Sequence, residues 1–113
     1  MDSIERLWEV IGHLNVGLCL DTCHTWAGGI PTIDAVKGFK KLVKKIDLIH
    51  FNDSKDGFES SRDRHENLGK GKIPKEELEY VIKNAKTDII VETPNGPDAQ
   101  KKDISWIRRR LKK

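Results

Sequence analysis

The sequence predicts an α/β fold with parallel strands and helices outside them. Segments with helical periodicity alternate with short apolar runs, in the order α-β-α-β-α-β-α. Each apolar run ends in polar or ionisable residues. No Pro/Gly-rich linker divides the 113 residues, so residues 1–113 read as one domain.

The elements follow in order. Residues 2–13 place Ile4, Leu7, Trp8 and Ile11 on one helical face, and Asp2 or Ser3 can cap that helix. His13 near its end reads as structural. "VGLCLD" is a short buried strand over residues 16–21. "TCHTWAGGIP" reads as a loop, with a double-glycine signal. A second helix opens at Thr32 or Asp34, with Ile33, Val36, Phe39, Leu42, Val43 and Ile46 on its apolar side. "DLIHFND" is a strand over residues 47–53, and a long polar loop runs from Ser54 to about Ile73. Pro74 suits the first turn of a third helix with Leu78, Val81 and Ile82 inward. "DIIVET" is a third strand over residues 88–93. "PNGP" breaks the chain, and a last helix from about Asp98 turns Ile104, Ile107 and Leu111 inward.

Composition limits the function classes. Hydrophobic residues make up 36% and charged residues 35%, a polar but globular balance. No run approaches the ~20 apolar residues that cross a bilayer, and "MDSIERLWEV" lacks the apolar stretch of a signal peptide. No membrane association and a cytoplasmic location are the expectation. The net charge is +3, and the last thirteen residues, "KKDISWIRRRLKK", hold seven basic groups and one acid. Such a tail suits either a solvated helix face or a nucleic acid. Cys19 and Cys23 stand at C-x-x-x-C, neither a zinc-ribbon nor a thioredoxin spacing; Cys19 in its apolar run reads as a buried inert thiol and Cys23 as able to line a site, and neither a disulfide nor a metal role is assigned.

Side-chain alternation turns the strand ends into a candidate site. If Asp21 faces the interior of the sheet's curve, Cys19 and Gly17 share its side, while Val16, Leu18 and Leu20 face helices. His50 and Asn52 share an inward side, with Ile49 and Phe51 outward. Glu92 and Ile90 do likewise, with Ile89 and Val91 on helices. Sites in parallel α/β folds lie at the C-terminal ends of strands. Asp21, His24, His50, Asp63, His65 and Glu92 make a nitrogen/oxygen donor set suited to Zn²⁺, Mn²⁺ or Fe²⁺. Asp63 and His65 lie on one side of an extended segment, ~6–7 Å apart. A cluster of such ions suits phosphodiester cleavage. Ser54 lacks a nucleophile elbow, and Gly69 and Gly71 do not form a phosphate-binding P-loop.

Three segments, "GLCLDTCHTWAGG", "HFNDSKDGFESSRDRHENLGKGKI" and "VETPNG", resemble the signature segments of endonuclease IV, the zinc-dependent apurinic/apyrimidinic endonuclease. The resemblance runs from about Ile4 to Leu111. It implies the C-terminal part of a (β/α)8 TIM barrel, here three βα units and a leading helix. It also implies hydrolysis of the phosphodiester bond on the 5′ side of an abasic site in DNA. By the same resemblance His24, Asp63 and His65 are the ligands of one zinc. Asp21, His50 and Glu92 are ligands of a second, and these three act in catalysis through the metal. Arg64, and after it Asn52 and Lys55, are expected to touch substrate phosphate.

A barrel of this kind takes ~250 residues. The resemblance therefore implies one full zinc site and one partial site, against three zincs in the intact family. It implies also a complementary N-terminal barrel portion carrying a bridging glutamate and both histidines of the remaining zinc, with weak or no cleavage by the chain alone. Two other readings compete. One is a barrel sugar isomerase or epimerase using the same metal groups. The other is a non-catalytic chain that binds metal or DNA and needs a partner.

Overall fold

The computed structural model describes residues 2–12, 17–43 and 46–112. His13 and Val16 lie outside them, as do the side chains of Asp2 and Ser3. The elements are α1 (Asp2–Ile11), β1 (Cys19–Asp21), α2 (Thr22–Ala27), α3 (Thr32–Leu42), β2 (Leu48–His50), β3 (Asp53–Ser54), β4 (His65–Glu66), α4 (Lys75–Ala85), β5 (Asp88–Ile90) and α5 (Gly96–Leu111).

The three expected strands form one parallel sheet in the order β1-β2-β5. Cys19 pairs with Leu48 and Asp21 with His50, while His50 pairs with Ile90. This register brings the C-terminal ends of all three strands to one edge of the fold. The strands are shorter than expected, three residues each rather than six or seven. The second strand stops early because its continuation turns to a different partner. The Asn52 N–H donates to the Thr22 hydroxyl, which itself donates to the Asn52 carbonyl, at 2.8 and 2.6 Å.

The predicted alternation decides which face is covered. Leu20, Ile49 and Phe51 are fully buried against the helices. Their neighbours Cys19 and Ile90 face the other way and are exposed, so Cys19 is not the buried thiol its apolar run suggests. The core lies on the helical side, where Val36 and Phe39 of α3, Leu78, Val81 and Ile82 of α4, and Trp106 and Ile107 of α5 meet the sheet. Each fully buried side chain of this size contributes about 1.5–3 kcal/mol. Periodicity overstates the burial of the outer helices. Leu7 on α1, and Ile104 and Leu111 on α5, remain exposed on their apolar sides. Ile104 and Leu111 line an open cleft with Ile89 and Val91 at the β5 edge.

The segment after β1 is a correction. Its first six residues are not loop but the helix α2. Asp21 explains this: its Oδ1 accepts the N–H groups of Cys23 and His24 at 2.9 and 3.0 Å, satisfying two donors that a helix start leaves free. The helix ends where the Gly28 N–H bonds the His24 carbonyl and Gly29 takes φ +86°. The last helix also starts earlier than expected, at Gly96.

The long loop from Ser54 to Ile73 is held by one buried carboxylate. Asp53 is fully buried. Its Oδ1 accepts from the Ser54 and Ile73 N–H groups at 2.8 and 3.1 Å, and its Oδ2 from Gly69 and Gly71 at 3.0 Å each. Burial pushes the Asp53 carboxyl up, and the backbone donors offset this only in part. Gly71 has to be glycine: a Cβ there would collide with the Ser54 carbonyl and the Asp53 carboxylate. Within the loop β3 and β4 pair antiparallel, Ser54 opposite His65. Asp103 of α5 holds its far side, accepting from the Leu68 N–H at 3.0 Å and the Asn67 amide at 2.8 Å.

Asp53→Asn would aim an amide group at two backbone N–H donors. We expect a stability loss of about 2–3 kcal/mol, seen as a lower urea midpoint with an unchanged slope. An unaltered midpoint would show that the loop is held elsewhere.

Candidate metal centre

Five of the six predicted ligand residues are brought to the strand-end edge by the sheet, by the β3–β4 pair or by the loop they anchor, and His24 by the helix that starts there. Asp21 closes β1, His50 closes β2, and Glu92 follows β5 by two residues. His24 stands on the first turn of α2. His65 opens β4, and Asp63 precedes it.

The loop carrying Asp63 is tied along α2. The Glu59 and Ser61 N–H groups donate to the carbonyls of Trp26 and Ala27 at 3.0 and 2.9 Å. Trp26 Nε1 donates to the Asp56 carbonyl at 3.0 Å, and its ring meets Phe58 edge-on, centroids 5.0 Å apart.

The six side chains form one continuous series. His24 Nδ1 is 3.2 Å from Asp63 Oδ2, and Asp63 Oδ1 is 3.6 Å from His65 Nε2. His65 Nε2 is 3.6 Å from Asp21 Oδ2, which is 3.9 Å from His50 Nδ1. His50 Nδ1 is in turn 2.9 Å from Glu92 Oε1. Asp21 therefore has two tasks: Oδ1 caps α2, while Oδ2 stands between the two halves of the series. His65 Nδ1 lies 2.9 Å from the Glu92 carbonyl oxygen. A carbonyl only accepts, so Nδ1 carries the proton and Nε2 is left with a free lone pair.

Among the described residues, two compact groups have donor atoms close enough to hold an ion: Asp21, His50 and Glu92, and Cys23, Asp63 and His65. The first is the predicted second site. The second contains Cys23, to which the sequence gives no metal role, where the expected ligand is His24. The chemistry of Cys23 counts against it as a ligand. The thiol is fully buried, burial pushes it up to about 12, and its S–H lies 3.5 Å from the Arg64 carbonyl. That carbonyl can only accept, so the S–H is committed to it and points away from an ion. The exposed His24 imidazole, already against Asp63, suits the ion better. The donor set of three imidazoles and three carboxylates fits Zn²⁺.

The expected phosphate contacts are placed differently from one another. Lys55 is exposed, and its backbone N–H donates to the Arg64 carbonyl at 3.1 Å. Arg64 is also exposed, but its guanidinium grips Asp56 through two bonds of 2.8 and 2.7 Å. That pairing holds the Asp56 carboxyl below the usual carboxylate range. Asn52 is fully buried, and its Oδ1 accepts the Glu92 N–H at 2.8 Å.

The family pattern described as xylose isomerase-like TIM barrel matches residues 1–110. The chain belongs to the xylose isomerase-like TIM barrel family. Within it, close relatives carry the name endonuclease 4. The chain is 48% identical over 109 residues to the probable endonuclease 4 of Mycobacterium tuberculosis, covering 96% of this chain and 42% of that protein. It is 47% identical to the corresponding Mycobacterium leprae protein, again over 109 residues, with the same shares covered. The crystal structure of endonuclease IV from Thermus thermophilus superimposes with a TM-score of 0.76 at 30% identity, covering 96% of this chain and 43% of that one. The chain thus spans about two-fifths of the length of the relatives it matches. As a member of this barrel family it contributes a three-stranded parallel segment, and among the described residues no helix is long and apolar enough to cross a membrane.

The two thiols give a direct check on this geometry. Treated with iodoacetamide at pH 8, the native chain is expected to label at Cys19 alone, and at both cysteines once unfolded. Equal labelling of Cys23 in the native chain, read by peptide mass spectrometry, would contradict the burial of α2 against the loop.

Proposed function

We propose that the chain is the metal-binding portion of a DNA repair endonuclease that hydrolyses the phosphodiester bond 5′ to an abasic site. The observation that carries this reading is the unbroken series His24–Asp63–His65–Asp21–His50–Glu92 at the strand ends. It lies in a chain 48% identical to an endonuclease 4.

In this reading His24, Asp63 and His65 hold one zinc, and Asp21, His50 and Glu92 contribute to a second. Bound zinc supplies Lewis-acid polarisation of the phosphate and lowers the pKa of a water. The chain's own residues do the rest. His65, with Nδ1 committed to the Glu92 carbonyl, offers Nε2 without a change of tautomer. Asp21 is held by its capping bonds, which leave its second oxygen aimed at His65 and His50. Lys55 supplies positive charge at the rim, and the Lys/Arg-rich surface of α5 adds a long-range attraction for DNA.

The partner in this reading is a complementary N-terminal barrel portion. β1 and β5 are the two outer strands of the parallel sheet, and a closed barrel would pair both edges. Soluble barrel proteins of this kind suit a cytoplasmic setting. The sugar isomerase reading rests on the breadth of the family alone, and turnover of free sugars without action on abasic DNA would favour it.

Two measurements test the proposal on the 113-residue chain. Titration against a chromophoric chelator is expected to find one to two weakly bound zinc ions. His65→Ala should weaken the tighter one more than roughly tenfold, at least the loss that outer partners of a ligand produce. On a duplex with a single abasic site the chain alone should nick little. Robust chelator-sensitive nicking would show that the residues present suffice without a partner. Absence of any zinc binding would remove the metal reading itself.

A further inference from the structure

Asn52 occupies an unusual position for an amide. It is fully buried, yet its Nδ2 has no hydrogen-bond partner among the described residues. Leaving such a donor unpaired in the interior is unfavourable. Something else must account for an amide there. Its Oδ1 accepts the Glu92 N–H at 2.8 Å, and because an N–H can only donate, the orientation of the amide is fixed by chemistry. The backbone of Asn52 is clasped by the Thr22 hydroxyl on the opposite side, at 2.8 and 2.6 Å.

These bonds join into a ladder across three strand ends. Thr22 follows the ligand Asp21, and its hydroxyl holds the Asn52 peptide. Asn52, two residues beyond His50, holds the Glu92 N–H. The Glu92 carbonyl takes the His65 Nδ1 proton at 2.9 Å. Each rung therefore connects segments that carry different candidate ligands, and each rung is a side-chain contact that strand pairing does not supply. The ladder lies beyond the last paired residues, His50 and Ile90, where the sheet no longer sets the spacing.

We propose that Asn52 is a positioning residue of the metal centre. Its side-chain carbonyl holds the Glu92 N–H, and through the Glu92 backbone, whose carbonyl lies one peptide plane further on, it sets the tautomer and aim of His65. It touches neither metal nor substrate. This inference rests on the metal reading for its consequence, though the His65 tautomer is measurable without metal.

The test uses the 113-residue chain with Asn52→Ala, Asn52→Asp and Thr32→Val. Thr32 is the control: it is fully buried with an unpartnered hydroxyl, but stands on α3, away from the ladder. Asn52→Asp keeps an acceptor for the Glu92 N–H. In metal-free protein, nitrogen-15 NMR of the imidazoles reads the tautomer, and chelator competition reads zinc affinity.

The expected result is a shift of His65 away from its Nδ1–H form in Asn52→Ala, with zinc affinity down roughly 10–100-fold, the usual range for outer partners of a ligand. Asn52→Asp should restore the tautomer, and Thr32→Val should change stability alone. A His65 tautomer and zinc affinity both unchanged in a folded Asn52→Ala chain overturn the proposal. So does an equal loss of affinity in Thr32→Val, which would make the effect one of general stability. If wild-type chain binds no zinc yet the tautomer follows Asn52, the metal reading fails and the positioning role stands. Should Asn52→Ala not fold, the Asn52→Asp tautomer decides: a wild-type Nδ1–H form supports the proposal, and its loss overturns it.

Discussion

The arrangement of the site depends on a carboxylate that takes no part in it. Asp53 gathers backbone donors from residues up to twenty positions away, and so converts a polar connection into a folded structure. Without it, the segment bearing Asp63 and His65 would lose the far ends of its path. A buried ion is expensive unless every lone pair finds a donor. Here the peptide donors of a glycine-rich stretch meet it closely enough that Gly71 cannot carry a side chain. Loop shape and ligand placement are therefore one physical fact rather than two.

From that anchor the other contacts follow in sequence. β3 and β4 pair because Asp53 and the loop's return bring Ser54 opposite His65. Asp103 reaches from α5 to hold Asn67 and Leu68, tying the last helix to the same loop. The Trp26–Phe58 contact and the bonds from Glu59 and Ser61 lay the outgoing arm along α2. The strand ends, set by sheet register, then meet a loop set by side-chain-to-backbone bonds. Few of these bonds are local, which is why a short sheet can support a site drawn from five segments.

That division also explains what could be read from the sequence. The two-residue period of the strands was legible: Leu20, Ile49 and Phe51 are buried, while Cys19 and Ile90 are open. Strand ends rich in His and carboxylate were legible for the same reason, since alternation placed them on one face. The helix α2 was not, because six residues show no periodicity and its stability comes from the Asp21 cap. The grip of Asp53 was equally hidden, as no local pattern announces a carboxylate that bonds amides sixteen to twenty residues ahead. Apolar periodicity on α1 and α5 told which side faces inward but not whether a covering surface lies within the chain. Leu7, Ile104 and Leu111 are exposed on that account.

The double use of Asp21 has a thermodynamic consequence. One oxygen stabilises the start of a helix and the other faces the candidate ligands, so under the proposed function a bound cation and a helix would share a single carboxylate. Occupancy and local order are then linked functions: whatever draws charge toward Oδ2 weakens the cap, and whatever frays α2 frees the carboxylate to swing. The heat of ion binding to such a centre would contain a folding contribution from α2, and with it from the loop that α2 carries.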